Sequence, residues 1–181
     1  MRQSSKLKVL LTIILMSSLV GCAAQTMNIE PNIPNENAKI VGFKPGSEPD
    51  GFDGIRWETE LSTLQGMKHY RTDPSHGGTE FYLKENNTFK FGKGRLKTVQ
   101  YGFWKGQFFV GMITTQGHSN WNALKEAVSE KYGEGAKPFL NREEFLWLGE
   151  DAVMALRYDE TTKGGLFYIR SESMLKRMPS E

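Results

Sequence analysis

Hydrophobic and polar residues alternate most regularly between Leu96 and Thr115. Val99, Tyr101 and Phe103 fall on one face of a strand, and Lys105-Gly106 marks a tight turn. The return strand reads through Phe108, Val110 and Met112, or in the other register through Phe109 and Ile113. The period then changes. Trp121, Leu124, Val128 and Tyr132 recur at helical spacing behind a cap at Ser119 or Asn120, and Gly133 stands where a helix C-cap belongs. A second hairpin is predicted from Glu144–Leu148 and Ala152–Tyr158 around Gly149-Glu150-Asp151, then a strand over Gly165–Ser171 and a short basic helix at the tail.

Upstream the signals are shorter. Phe52–Trp57 reads as a first strand, and Thr59 as the cap of a two-turn helix over Glu60–Met67 with Leu61 and Leu64 inward. Arg71–Gly78 is rich in breakers and predicts a loop. Thr79–Lys84 predicts a strand, Glu85-Asn86-Asn87 a turn, and Phe89 and Phe91 a half-buried strand broken by Gly92 and Gly94. Runs of strands interrupted by two helices indicate an α+β fold: an antiparallel sheet of about six to eight strands packed by two main helices. The helix-then-strands pattern starts twice, near Thr59 and near Ser119, without a residue-level repeat to match.

Residues 23–50 carry Pro31, Pro34, Pro45 and Pro49 among Asn, Glu and Ser, a composition too polar to offset its ordering entropy. With Cys22 they predict a tether, residues 22–50, in which Ile40, Val41 and Phe43 begin to dock on a domain at 51–181. Before it, Arg2, Lys6 and Lys8 precede the uncharged stretch Val9–Val20, which is shorter than the roughly 20 residues of a membrane-spanning helix. Residues 1–21 thus read as a secretory signal.

The tetrad Leu19-Val20-Gly21-Cys22 closes that signal and resembles the lipobox of bacterial lipoproteins. The resemblance implies a diacylglyceryl thioether on Cys22, cleavage of the Gly21–Cys22 bond and a mature protein held in the cell envelope. With Ala23 following, it implies the outer membrane, facing the periplasm, in a host with two membranes. Two stretches, GFDGIRW at Gly51–Trp57 and LKEAVSEKYG at Leu124–Gly133, resemble uncharacterised lipoproteins and secreted proteins of environmental bacteria. More distantly, the element pattern is similar to small outer-membrane assembly lipoproteins, a likeness of fold that carries no function.

Cys22 is the single cysteine, so no disulfide forms within one chain and no thiolate cluster can bind metal. Without Arg2, Lys6 and Lys8 the chain has 20 basic against 21 acidic residues, which is no footprint for nucleic acid. His69, His76 and His118 are widely separated and lack metal-site spacing, so no metal or other cofactor is expected. Ser75 beside His76 and Ser119 beside His118 are adjacent pairs, which seldom present a nucleophile to its base. Glu143-Glu144 and Glu150-Asp151 flank Trp147 as cell-wall glycan hydrolases combine acids and rings, yet neighbours along a strand face opposite ways.

Aromatic residues, 12% of the chain, remain the unusual feature. Alternation cannot bury both Phe103 and Trp104, or both Phe108 and Phe109, on one face. Some rings must reach the sheet's second side, where they are either covered or presented to a partner. The sequence therefore predicts a non-catalytic binding or assembly factor, anchored to the membrane through lipid on Cys22. Its partner would be an envelope protein or the cell wall, with Trp104, Phe108, Phe109 and Trp147 as candidate contacts. An inhibitor acting through Asp73–Gly78 and a glycan hydrolase near Trp147 are the alternatives.

Overall fold

The alternation at Leu96–Thr115 forms the centre of the sheet. In this computed structural model, which describes residues 34–39, 41–86 and 90–179, it becomes two long strands, here β7 (Thr98–Trp104) and β8 (Gln107–Gln116). Lys105 and Gly106 connect them with φ of 49° and 79°, the left-handed pair that a two-residue hairpin needs. Preceding them are the short strands β1 (Gly51–Phe52), β2 (Ile55–Arg56), β5 (Lys90–Phe91) and β6 (Gly94–Arg95), and the longer β3 (Met67–Asp73) and β4 (Thr79–Lys84). After them come helix α1 (His118–Tyr132), strands β9 (Glu144–Leu148), β10 (Ala152–Asp159) and β11 (Gly164–Ser171), and helix α2 (Glu172–Arg177). Seven strands make one antiparallel sheet in the order β3-β4-β7-β8-β11-β10-β9. The fold is α+β, as the pattern predicts.

One face of the sheet packs under α1. Trp121, Leu124, Val128 and Tyr132, the predicted stripe, are buried against Tyr101, Phe103, Phe108, Ile113, Met154 and Phe167 among others. Gly133 caps the helix at φ 87° and donates its N–H to the Ser129 carbonyl, whereas Gly117, not Ser119 or Asn120, stands at the N-cap. Close approach matters at Gly111 of β8, where a Cβ would overlap the Phe52 ring.

Neither predicted register of β8 holds along its whole length. Phe103 pairs with Phe108 while its neighbour Gly102 pairs with Val110, so Phe109 is an extra residue, a β-bulge. The bulge turns Phe108 and Ile113 to the α1 side, and Phe109, Val110 and Met112 to the other. On that second side α2 seats Met174, and Met178 just beyond it, over Phe81, Trp104, Phe109 and Val110. The predicted tail helix is thus the cover for the second set of rings. Ser171 caps α2 by accepting the Met174 N–H at 3.3 Å.

Three local expectations change. Glu60–Met67 is not a helix but a 3-10 turn at Leu61–Thr63 leading into β3. Gly66 takes φ 72°, the Leu61 N–H donates to the Gly106 carbonyl, and Glu60 bridges Gln107, so the hairpin tip claims this backbone. A two-turn helix is marginal alone and loses that competition. It also removes the first half of the apparent repeat. Arg71–Asp73, expected as loop, extends β3 by pairing with Phe81, Glu80 and Thr79. Phe52–Trp57 folds back on itself at Asp53-Gly54, a tight hairpin of β1 and β2.

The expected tether also contributes to the fold from Pro34 on. The Asn35 N–H donates to Pro138, Lys44 to Tyr132, and Leu148 to Val41, at 2.8, 2.8 and 3.1 Å. Glu48 accepts the N–H groups of Asp151 and Ala152 at 2.8 and 3.0 Å, and Phe43 sits edge-on to Tyr132. These contacts satisfy turn and helix-end groups that would otherwise be unpaired, which offsets the entropy of ordering a proline-rich segment. Residues 1–33, Ile40, Asn87 and Phe89, for which the sequence also carries expectations, lie outside the described residues.

Candidate functional site

The candidate partner contacts are interior. Trp147 and Phe108 are wholly buried on the α1 side, and Trp104 and Phe109, at 7% and 5% exposed, lie in the cluster under α2. The bulge divides Phe108 from Phe109, the tail helix covers Phe109 and Trp104, and the β9–β10 register turns Trp147 under α1. Gly21 and Cys22 lie outside the described residues.

The acids near Trp147 divide across the sheet. Glu143 is held on the α1 side by Lys125 and Lys137, at 3.2 and 3.5 Å. Burial works against its charge, but the two ammonium groups keep its carboxyl below the ordinary range. Glu144 starts β9 directly opposite Arg157 on the other face. Glu150 and Asp151 form the exposed turn. Ser75 Oγ donates to Asp73 Oδ1 at 2.5 Å inside a 3-10 turn, Ser75–Gly77, whose Gly77 lies beside Trp104 and Pro179. His69 meets Thr72 and Tyr82, and His118 meets Asn122 and Tyr158. Among the described residues no three His, Cys, Asp or Glu come together as a metal site.

A different constellation lies on the second face across β8, β11 and β10. Strand register places Met112 of β8 beside Tyr168 of β11, Thr114 beside Leu166, and Leu166 beside Arg157 of β10. Arg170 follows two residues after Tyr168 and lies over its ring, 6.0 Å from the centroid. Further along, Arg71 stacks on Phe81 at 3.8 Å and donates to Gln100 at 3.3 Å. Met112, Leu166, Arg157, Tyr168 and Arg170 are all partly exposed. The buried Arg170 Nε and Glu144 Oε2 have no hydrogen-bond partner among the described residues. Sequence reasoning centred on tryptophan and phenylalanine passed over this group. Its only local trace is the i, i+2 spacing of Leu166, Tyr168 and Arg170, which any half-buried strand shows.

Burial pushes the Glu144 carboxyl above the ordinary range, against the pull of Arg157 and Arg142. Burial likewise raises the Tyr168 hydroxyl, with Arg170 and Arg157 opposing and Glu144 reinforcing. A carboxyl whose folded pKa is raised binds more protons folded than unfolded, so its contribution is favourable at low pH and lost as pH rises through the folded value. Glu144→Gln should therefore be more stable than wild type at about pH 7, with the advantage shrinking toward about pH 4, where carboxyls protonate in both states. Urea unfolding at the two pH values checks this; an advantage that grows on acidification would show Glu144 to be stabilised as the anion.

No described helix is long and apolar enough to cross a membrane. The chain matches no protein-family model, no curated protein and no solved structure.

Proposed function

We propose that the mature protein is a non-catalytic binding or assembly factor of a bacterial envelope, tethered by lipid on Cys22. It engages an envelope protein through the second face of the sheet. The observation that carries this reading is a contiguous, partly exposed group on three neighbouring strands: Tyr168, Met112, Leu166, Arg157 and Arg170. Tyrosine, methionine and arginine are the residue types enriched where proteins recognise one another. A lipid anchor would confine domain and partner to one surface and raise their effective concentration, so a modest patch suffices. In a host with two membranes that surface is the periplasmic side of the outer membrane.

A photo-crosslinking residue at position 168 tests the surface in intact envelopes, with the same residue at exposed Glu150 as the control. A discrete adduct from position 168, absent from position 150 and abolished by Arg157→Glu, is the expected result. Identical adducts from both positions, or none from position 168, would refute the surface.

A further inference from the structure

Two cavities open side by side at the C-terminal end of α1, on the opposite side of the sheet from that surface and independent of it. Their volumes are about 440 and 160 Å³, and Phe52, Asp53, Lys131 and Tyr132 line both. The larger is bordered by residues 46–50 and the β1–β2 turn. The smaller has an apolar floor of Phe91, Leu96, Val99, Ile113 and Phe167.

Opposite charges stand at the border between them. Asp53 holds φ 51° in the tight turn, and its Oδ2 accepts a hydrogen bond from the Tyr101 hydroxyl at 2.5 Å. Tyr101 is wholly buried, so a core side chain fixes where this carboxylate sits. Lys131 occupies the last turn of α1, with its ammonium 4.9 Å from the Tyr132 ring centroid. The small cavity, at about 160 Å³, is close to the roughly 150 Å³ of an apolar cavity that admits a benzene-sized group, so a branched four-carbon side chain fits it.

We propose that this cleft binds an α-ammonium group carrying a short apolar side chain, as in a free amino acid or the first residue of a peptide. The ammonium pairs with Asp53 and the side chain enters the small cavity. Lys131 takes the α-carboxylate of a free amino acid or the first carbonyl of a peptide. Nothing in the chemistry is covalent.

Methyl NMR of Val99 and Ile113 in the lipidated mature protein, held in nanodiscs, reads occupancy of the floor. Leucine, leucinamide and a leucyl-alanine dipeptide are the probes, with N-acetyl-leucinamide and glycinamide lacking one feature each. Saturable shifts with leucinamide are expected, at least tenfold weaker with either control. Asp53→Asn should weaken leucinamide binding by a similar factor, and asparagine tolerates the left-handed turn, so the fold is kept. Tighter binding of leucine than of the dipeptide identifies a free amino acid as the ligand, and the reverse identifies a peptide. The proposal fails if no α-ammonium probe gives saturable shifts, or if N-acetyl-leucinamide binds as tightly as leucinamide. Loss of binding here leaves the crosslinking result at position 168 unchanged, so the two sites are tested separately.

Discussion

Replacing Trp147 by alanine should lower the unfolding free energy by about 3–5 kcal/mol, the cost of removing a large fully buried ring that the core cannot close over. Trp147 is wholly buried in β9, opposite Met154, and the Gly135 backbone passes against its indole so closely that a Cβ there would crowd the ring. Its Nε1 donates to the Gly133 carbonyl at 2.9 Å, one of the groups that the end of α1 leaves without a helical partner. One side chain therefore closes the core under α1 and pairs the helix terminus. Trp147→Phe keeps most of the volume but loses the hydrogen bond, and should cost about 1–3 kcal/mol for the carbonyl left unpaired. Urea unfolding of the two variants, in the chain from residue 23 onward, measures both effects. A loss below about 1 kcal/mol for the alanine variant would mean the indole is not the keystone of this core.

Cys22→Ser should move the protein from the membrane to the soluble fraction. The expectation rests on the lipobox reading: a thioether-linked diacylglyceryl group needs the sulfur, and a serine hydroxyl does not replace it. Each buried methylene contributes about 0.8 kcal/mol, so two or three acyl chains anchor stably whereas one binds only reversibly. No described helix is long and apolar enough to cross a membrane in their place. Fractionation of wild type and variant, with the intact mass of each, reads the outcome. Wild type should gain the mass of a diacylglyceryl group and begin at residue 22. An intact Met1 or a free thiol at Cys22 in wild type would remove the anchor from the proposal. The cleft at Asp53 would stand unaffected.

How much of this architecture is written locally can be read element by element. The β7–β8 hairpin, the α1 stripe and its Gly133 cap follow from alternation, a Lys-Gly turn and helical spacing, all within about twenty residues. Such signals survive folding because the sheet and helix bury the faces that the pattern already separates. Thr59–Met67 and Arg71–Asp73 did not follow local preference. Their backbone groups found partners at Gly106, Gln107 and β4, and a short helix or loop cannot compete with a strand edge that offers several hydrogen bonds.

The candidate surfaces were the least legible part. Trp104, Phe108, Phe109 and Trp147 are large rings, but size alone cannot distinguish a core from a contact. The bulge set Phe109 on the opposite face from Phe108, the β9–β10 register turned Trp147 under α1, and α2 closed the second cluster. Tyr168, Arg157 and Met112 meet only because the strands run in the order β8-β11-β10. Asp53, Lys131 and Val99 meet only because the β1–β2 turn folds against the end of α1.

The linear order of residues alone determined the elements with strong periodicity, the α+β class and the lipobox pattern ahead of the folded part, because each rests on neighbours in the chain. Tertiary structure decided which face each ring occupies, where the proline-rich segment docks and which charges stand together. Those outcomes depend on strand order and on a one-residue register shift. Both are settled by the free energy of packing distant segments, a quantity that no stretch of sequence carries by itself.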